Sequence, residues 1–68
     1  MTPAEFRRHR LSLPLTQAQT AAVMGYSGQS RIAEIETGAR NPSAAAKRLL
    51  TAYVAGYRPD DWPLQPSS

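Results

Sequence analysis

The side chains best suited to chemistry in this chain fall in one short stretch, Gln29, Ser30, Arg31 and Glu34. Their types argue for recognition rather than bond breaking. A Gln amide pairs bidentately with adenine, an Arg fork with guanine, Glu accepts from the cytosine amino group, and Ser is permissive. Covalent catalysis lacks its parts. There is no cysteine, a lone histidine at position 9, and neither a nucleophile–base pair nor paired carboxylates in a plausible pocket. No enzymatic activity is therefore expected. One histidine without cysteine does not make a metal site, and no cofactor is expected. The helical position of His9 predicts a partly buried neutral imidazole with one hydrogen bond.

For Gln29, Ser30, Arg31 and Glu34 to act together, they must project from one end of a helix, and the flanking sequence builds such an element. Thr16 can cap a first helix, with Gln19 three residues on completing a capping box. Ala18, Ala21, Ala22 and Val23 are small and apolar, so a second helix can approach closely. Gly25 stops the first helix, because glycine accepts the left-handed conformation without a Cβ clash. The turn Tyr26-Ser27-Gly28 follows. A second helix is predicted from about Gln29 to Thr37, with Ile32 and Ile35 on its buried face and Gly38 at its end. Two capped helices around a glycine turn, here about residues 16–37, are the signature of a helix-turn-helix. The second helix of such a unit enters the major groove of DNA and reads base edges with its N-terminal side chains. Glu34 has a competing role as an intrahelical partner of Arg31, and Arg40 as a solvated loop charge.

Two further helices are predicted around this unit. Thr2, Pro3 and Glu5 form a second capping box with proline at the first turn. Helix 1 then runs from about Pro3 to Leu11, with Phe6, His9 and Arg10 inward and Arg7 and Arg8 toward solvent or phosphate. Pro14 prevents continuation, and Leu13 and Leu15 seal the core. After the loop Ala39–Pro42, a fourth helix is predicted from about Ser43 to Ala55, capped by Asn41 with Pro42 or by Ser43. Its apolar residues Ala45, Ala46, Leu49, Leu50, Tyr53, Val54 and Tyr57 form two adjacent stripes. One covers the core and the other is expected to cover a second subunit, with Leu50, Tyr53, Val54 and Trp62 as anchors. Residues 1–57 read as one domain and 58–68 as a C-terminal tail, partly ordered around Trp62, which folds onto helix 4 or a partner. Leu64 to Ser68 is expected to fray.

The stretch resembles the Cro/repressor (XRE-type) helix-turn-helix family of bacterial and phage transcription regulators. The matching residues are Leu15-Thr16-Gln17, Ala21, Gly25, Ser30, Ile32, Ile35-Glu36, Gly38 and Arg40-Asn41-Pro42-Ser43, joined by Arg7, Arg10 and Leu13 of helix 1. The likeness covers roughly residues 5–56. Thr20 stands where the family usually has Leu, His9 where it usually has an apolar residue, and the Gly25–Gly38 span is one residue longer. The resemblance implies a compact all-α domain of four, or five, helices. It places Gln29, Ser30 and Glu34 at base-contacting positions, Arg31 at one that contacts base or phosphate, and Gln17 at a phosphate-binding position. It also implies an ion pair between Arg10 and Glu36. Arg40, Asn41 and Ser43 flank the groove on the other side as phosphate contacts, with the Tyr26 hydroxyl in addition. The implied function is a sequence-specific, double-stranded DNA-binding transcriptional regulator. It is expected to be a homodimeric repressor on an inverted-repeat operator, at its own promoter or a small phage or anti-defence operon. The alternative is the antitoxin of a toxin–antitoxin pair, which binds a toxin protein and regulates its own expression, although residues 57–68 are short for wrapping a toxin.

Composition agrees with these expectations. A chain of 68 residues buries only about 60% of its unfolded surface. Without cysteine it has no disulfide or thiolate metal site to supplement the core, so a partner subunit is the remaining source of buried apolar area. Net charge is +3. Residues 1–48 carry seven Lys/Arg against Glu5, Glu34 and Glu36, whereas residues 49–68 carry Arg58 against Asp60 and Asp61. The basic excess thus lies on the side of residues 16–37, as a polyanion-binding face requires. No apolar run approaches the ~20 residues of a membrane span and no signal peptide is visible, so a cytoplasmic protein without membrane contact is expected.

Overall fold

Each helix starts where a side chain can accept the otherwise unpaired amides of a first turn, with one exception at the third. The computed structural model describes residues 1–64, and among these it contains four helices and no strand. Helix α1 spans Pro3–Ser12, α2 Gln17–Met24, α3 Gln29–Thr37 and α4 Ala44–Val54. At α1, Thr2 Oγ1 accepts from the Glu5 amide at 3.1 Å and Glu5 Oε1 accepts from the Thr2 amide at 3.0 Å. At α2 the same reciprocal box joins Thr16 and Gln19, at 3.1 and 3.0 Å. At α4 the cap is Ser43, whose Oγ accepts from the Ala46 amide at 3.1 Å. Replacing such a cap by alanine costs about 0.5–2 kcal/mol.

Two of the helix ends turn on a glycine in the left-handed conformation. Gly25 lies at φ 81°, and the Tyr26 amide reaches back to the Ala21 carbonyl at 2.8 Å. This six-residue closure needs a left-handed residue, which glycine supplies without steric cost. Gly38, at φ 86°, reverses the chain after α3 in the same way, and the Arg40 amide donates to the Glu34 carbonyl at 3.2 Å.

The core lies where the four helices converge. Phe6, Leu13, Leu15, Ala21, Ile32, Ile35, Leu50, Tyr53 and Trp62 are all buried. α3 packs on both α1 and α2, and α4 closes the opposite side against α1 and α2. The spacing of Ile32 and Ile35 puts both on the inner face of α3, and Phe6 of α1 and Leu50 of α4 join the same core with no exposed surface. Thr20, unusual for a core position, is fully buried because its hydroxyl donates to the Thr16 carbonyl at 2.9 Å. A buried hydroxyl with its partner inside its own helix carries no unpaired polar group. His9 is half-buried on α1.

The segment after α4 belongs to the core. Tyr53 donates its hydroxyl to the Val23 carbonyl at 3.1 Å, tying α4 to the end of α2. The Trp62 ring meets Tyr53 edge-on, 5.0 Å between centroids, and Tyr57 stacks on Tyr53 at 5.9 Å. Arg58 lies 4.4 Å over the Trp62 ring and donates to the Tyr53 carbonyl at 2.7 Å. The guanidinium therefore closes the C-terminal end of α4, where a cation is favoured.

Two expectations change accordingly. Leu50, Tyr53 and Trp62, read from sequence as dimer anchors, are buried within the chain's own core, and Val54 alone of the four is exposed. The aromatic ring of Trp62 is satisfied by Tyr53 and Arg58 of the same chain, which is why it is not left at the surface. No fifth helix forms among the described residues; Pro59 and Pro63 interrupt the segment that would carry it. The expected fraying from Leu64 onward concerns residues 65–68 chiefly, which lie outside the described residues.

Burial of the Tyr53 ring raises the pKa of its hydroxyl above the ordinary tyrosine value, with the nearby Asp61 carboxylate adding to the rise. The neutral form is thus favoured in the folded state. The associated stability is fully present below about pH 10, where unfolded tyrosine remains neutral, and is lost as pH rises through the folded value. Tyr53→Phe removes the bond to Val23 and is expected to cost about 1 kcal/mol, lowering the melting temperature by roughly 4–8 °C. Melting curves followed by circular dichroism between pH 7 and 11 should show a smaller alkaline loss in the variant than in the parent.

Candidate nucleic-acid interface

The position of α3 is set by a buried ion pair at its C-terminal end. Arg10 of α1 presents Nε and Nη2 to the two carboxylate oxygens of Glu36, with Nη2 3.0 Å from Oε1. Its remaining Nη1 donates to the Leu15 carbonyl at 2.9 Å. The side chains of the pair are 9% and 6% exposed. Gln17, at the first turn of α2, donates its Nε2 to Glu36 Oε1 at 3.3 Å. The carboxylate therefore binds together α1, the start of α2 and the end of α3, and its Arg10 partner adds the connection into α2. Bidentate geometry and a full set of acceptors are what make a buried pair tolerable. No buried side-chain nitrogen or oxygen among the described residues lacks a partner. The expected Arg10–Glu36 pairing is present, and Gln17, expected only as a phosphate contact, also serves this network.

The opposite end of α3 is open. Gly28 precedes it in an extended conformation and offers no side-chain acceptor to the first turn. Gln29 and Ser30 are exposed, Arg31 and Glu34 half-exposed. Ile32 and Ile35 occupy the inner face; Ser30 lies opposite them on the helix, while Gln29 and Arg31, one turn before Ile32 and Ile35, flank that face and keep access to solvent at the free end of α3. These three and Glu34 thus share the accessible part of α3, as their spacing suggests.

Glu34 has two cationic neighbours. Arg40 donates Nε to Glu34 Oε2 at 3.0 Å, and Arg31 donates Nη1 to the same oxygen at 3.5 Å. The hydrogen bond from Arg40 holds the Glu34 carboxyl below the usual glutamate range, with Arg31 adding a smaller pull in the same direction. The Arg31–Glu34 pair follows from helical i,i+3 spacing. The Arg40 contact does not, because a separation of six residues is not a helical neighbour. It arises from the Gly38 reversal, which lays the Arg40 backbone against the Glu34 carbonyl.

The remaining candidates are more scattered. Asn41 is exposed in the loop after α3, and Ser43 uses its oxygen to cap α4. Tyr26 is half-buried and packs on the core rather than standing free in the turn. A depression of about 260 Å³ is lined by Arg7, Gln17, Ala33, Thr37 and the Arg10–Glu36 pair. A larger one, about 640 Å³, lies along α1 between Thr2, Arg8 and Leu11. Among the described residues no three His, Cys, Asp or Glu side chains gather in a way that could hold a metal ion, and no helix is long and apolar enough to cross a membrane. Neither a protein-family model, a characterised protein nor a solved structure matches the chain.

The Arg10–Glu36 pair generates a stability test. Glu36→Gln leaves the Arg10 charge buried without compensation and is expected to cost about 3–5 kcal/mol. That is most of the stability available to a domain of this size, at roughly 0.05–0.15 kcal/mol per residue. Replacing both partners, Arg10→Met with Glu36→Leu, should recover most of the loss. Urea titrations of the single and double variants measure this, and a loss below about 1 kcal/mol in Glu36→Gln would assign the pair the weight of a surface contact.

Proposed function

We propose that this chain is a sequence-specific, double-stranded DNA-binding transcriptional regulator, with α2, the turn at residues 25–28, and α3 acting as a helix-turn-helix. The observation that carries this reading is the α3 N-terminus, which leaves Gln29, Ser30, Arg31 and Glu34 accessible on a helix whose other end is locked by Arg10 and Glu36. Read this way, α3 enters the major groove with these side chains against base edges. Gln17, at the start of α2, and Arg40 and Asn41, after α3, lie on either side of it as phosphate contacts. The basic balance of residues 1–48 supports attraction to a polyanion. Selection of bound duplexes from a random pool tests the reading directly, since it yields a consensus only if α3 reads sequence.

The regulator is proposed to act as a homodimeric repressor in the cytoplasm, occupying an inverted-repeat operator with half-sites about one helical turn apart. With Leu50, Tyr53 and Trp62 in the core, the dimer contact centres on Val54 and the neighbouring Tyr57, both exposed near the end of α4. Val54→Asp is expected to give monomers that bind the enriched duplex weakly. Sedimentation of parent and variant at micromolar concentration checks this, and a monomeric parent would rule out the contact.

Arg31 and Arg40 carry the same charge in different roles, and the effects of removing each separate them. Arg31→Ala is expected to cost about 1–3 kcal/mol on the enriched duplex, much less on unrelated DNA, and to relax choice at one base pair. Arg40→Ala is expected to weaken binding without relaxing the choice of any base pair, and to flatten the salt dependence by about one unit of slope for each phosphate no longer engaged. Salt titrations of each variant on both duplexes provide the measurement. Equal weakening on both for Arg31→Ala would make it a phosphate anchor and leave readout to Gln29 and Glu34.

A further inference from the structure

Glu34 is the one anionic group among the accessible side chains at this end of α3, and it holds the two arginines that DNA would have to engage. Building on the DNA-binding reading, we propose that Glu34 is a specificity-determining residue that withholds Arg31 and Arg40 from DNA unless the duplex offers Glu34 a base amino donor of its own, cytosine above all, since the adenine amino group stands beside the N7 acceptor.

The physical basis is an exchange of partners. In the free protein one carboxylate oxygen accepts from both guanidinium groups, at 3.5 and 3.0 Å. All three side chains are between 41% and 47% exposed. Pairs of this kind are individually weak and can open, unlike the Arg10–Glu36 pair beneath them, which is 9% and 6% exposed. Opening requires no backbone movement for Arg40, because its amide stays on the Glu34 carbonyl at 3.2 Å and only the side chain must turn.

The consequence depends on the sequence Glu34 meets. If Arg31 turns to guanine and Arg40 to phosphate, the Glu34 carboxylate is deprived of its donors inside the groove. Facing guanine or thymine acceptors, or phosphates, it is left unpaired beside like charge, so the arginines remain with it and do not engage the DNA. Facing cytosine, it regains a donor and the exchange is balanced. The carboxylate thus penalises wrong sequences more than it rewards the right one.

The test must separate this from the simple removal of a negative charge. Binding of the full chain, Glu34→Gln, Arg40→Ala and the double variant is measured by fluorescence anisotropy at one fixed salt concentration. The two probes are the duplex enriched from a random pool and a scrambled duplex of identical composition. Glu34→Gln is expected to tighten binding to the scrambled duplex roughly threefold to tenfold, as expected for releasing two exposed pairs, without tightening the enriched one. In the Arg40→Ala background the same change should produce less than half of that effect on a logarithmic scale. Equal tightening on both duplexes, or an unchanged effect without Arg40, overturns the proposal and leaves Glu34 as net charge only. If the unmutated protein does not prefer the enriched duplex, the DNA-binding reading itself fails and this inference falls with it, an outcome visible before any variant is made.

Discussion

The Glu36 carboxylate is the point on which the arrangement of helices depends. It receives two hydrogen bonds from Arg10 and one from Gln17, and Arg10 continues to the Leu15 carbonyl. Three helices therefore meet at a single anionic group, and its Arg10 partner ties in the connection between α1 and α2. Apolar packing alone would not fix their relation so narrowly, because hydrophobic contact is non-directional and this core is small. A bidentate ion pair has one favourable geometry. It sets the C-terminal end of α3 against α1 and α2, and the rigid helix carries that placement to its N-terminal end.

The two faces of α3 consequently carry acidic residues with opposite duties. Glu36 is enclosed, fully paired, and costly to disturb. Glu34, two residues earlier, lies on the accessible side with partners that can leave. Helical geometry accounts for the contrast, since a two-residue step rotates a side chain by about 200° around the axis. Two glutamates so close in sequence thus experience different dielectric surroundings, and only the exposed one has neighbours free to exchange.

The C-terminal segment shows how a small chain without cysteine adds to its core. Tyr53 packs against both Tyr57 and Trp62, and Arg58 joins the Trp62 ring to the last turn of α4. Aromatic residues bury much area per residue, which matters where the ratio of surface to volume is unfavourable. The same packing removes Tyr53 and Trp62 from the surface expected to meet a partner and leaves Val54 and Tyr57 exposed near the end of α4.

Local signals were legible in the sequence where their physics is local. Thr2 with Glu5, and Thr16 with Gln19, form the reciprocal caps their spacing suggests, because both partners lie within one turn. Gly25 and Gly38 end helices in the left-handed conformation that glycine alone adopts freely. The Ile32–Ile35 spacing identified the buried face of α3, and hence which residues stay accessible. No periodicity links Arg10 with Glu36, which stand 26 residues apart; only the resemblance to a family points to that pair. Other features were decided only by the tertiary structure. The reach of Arg40 to Glu34 depends on the path of the chain through Gly38. The inward placement of Leu50, Tyr53 and Trp62 depends on which of two apolar stripes of α4 the other helices cover. A stripe pattern states that a face is apolar but not what lies against it, and that choice belongs to the packing of the whole chain.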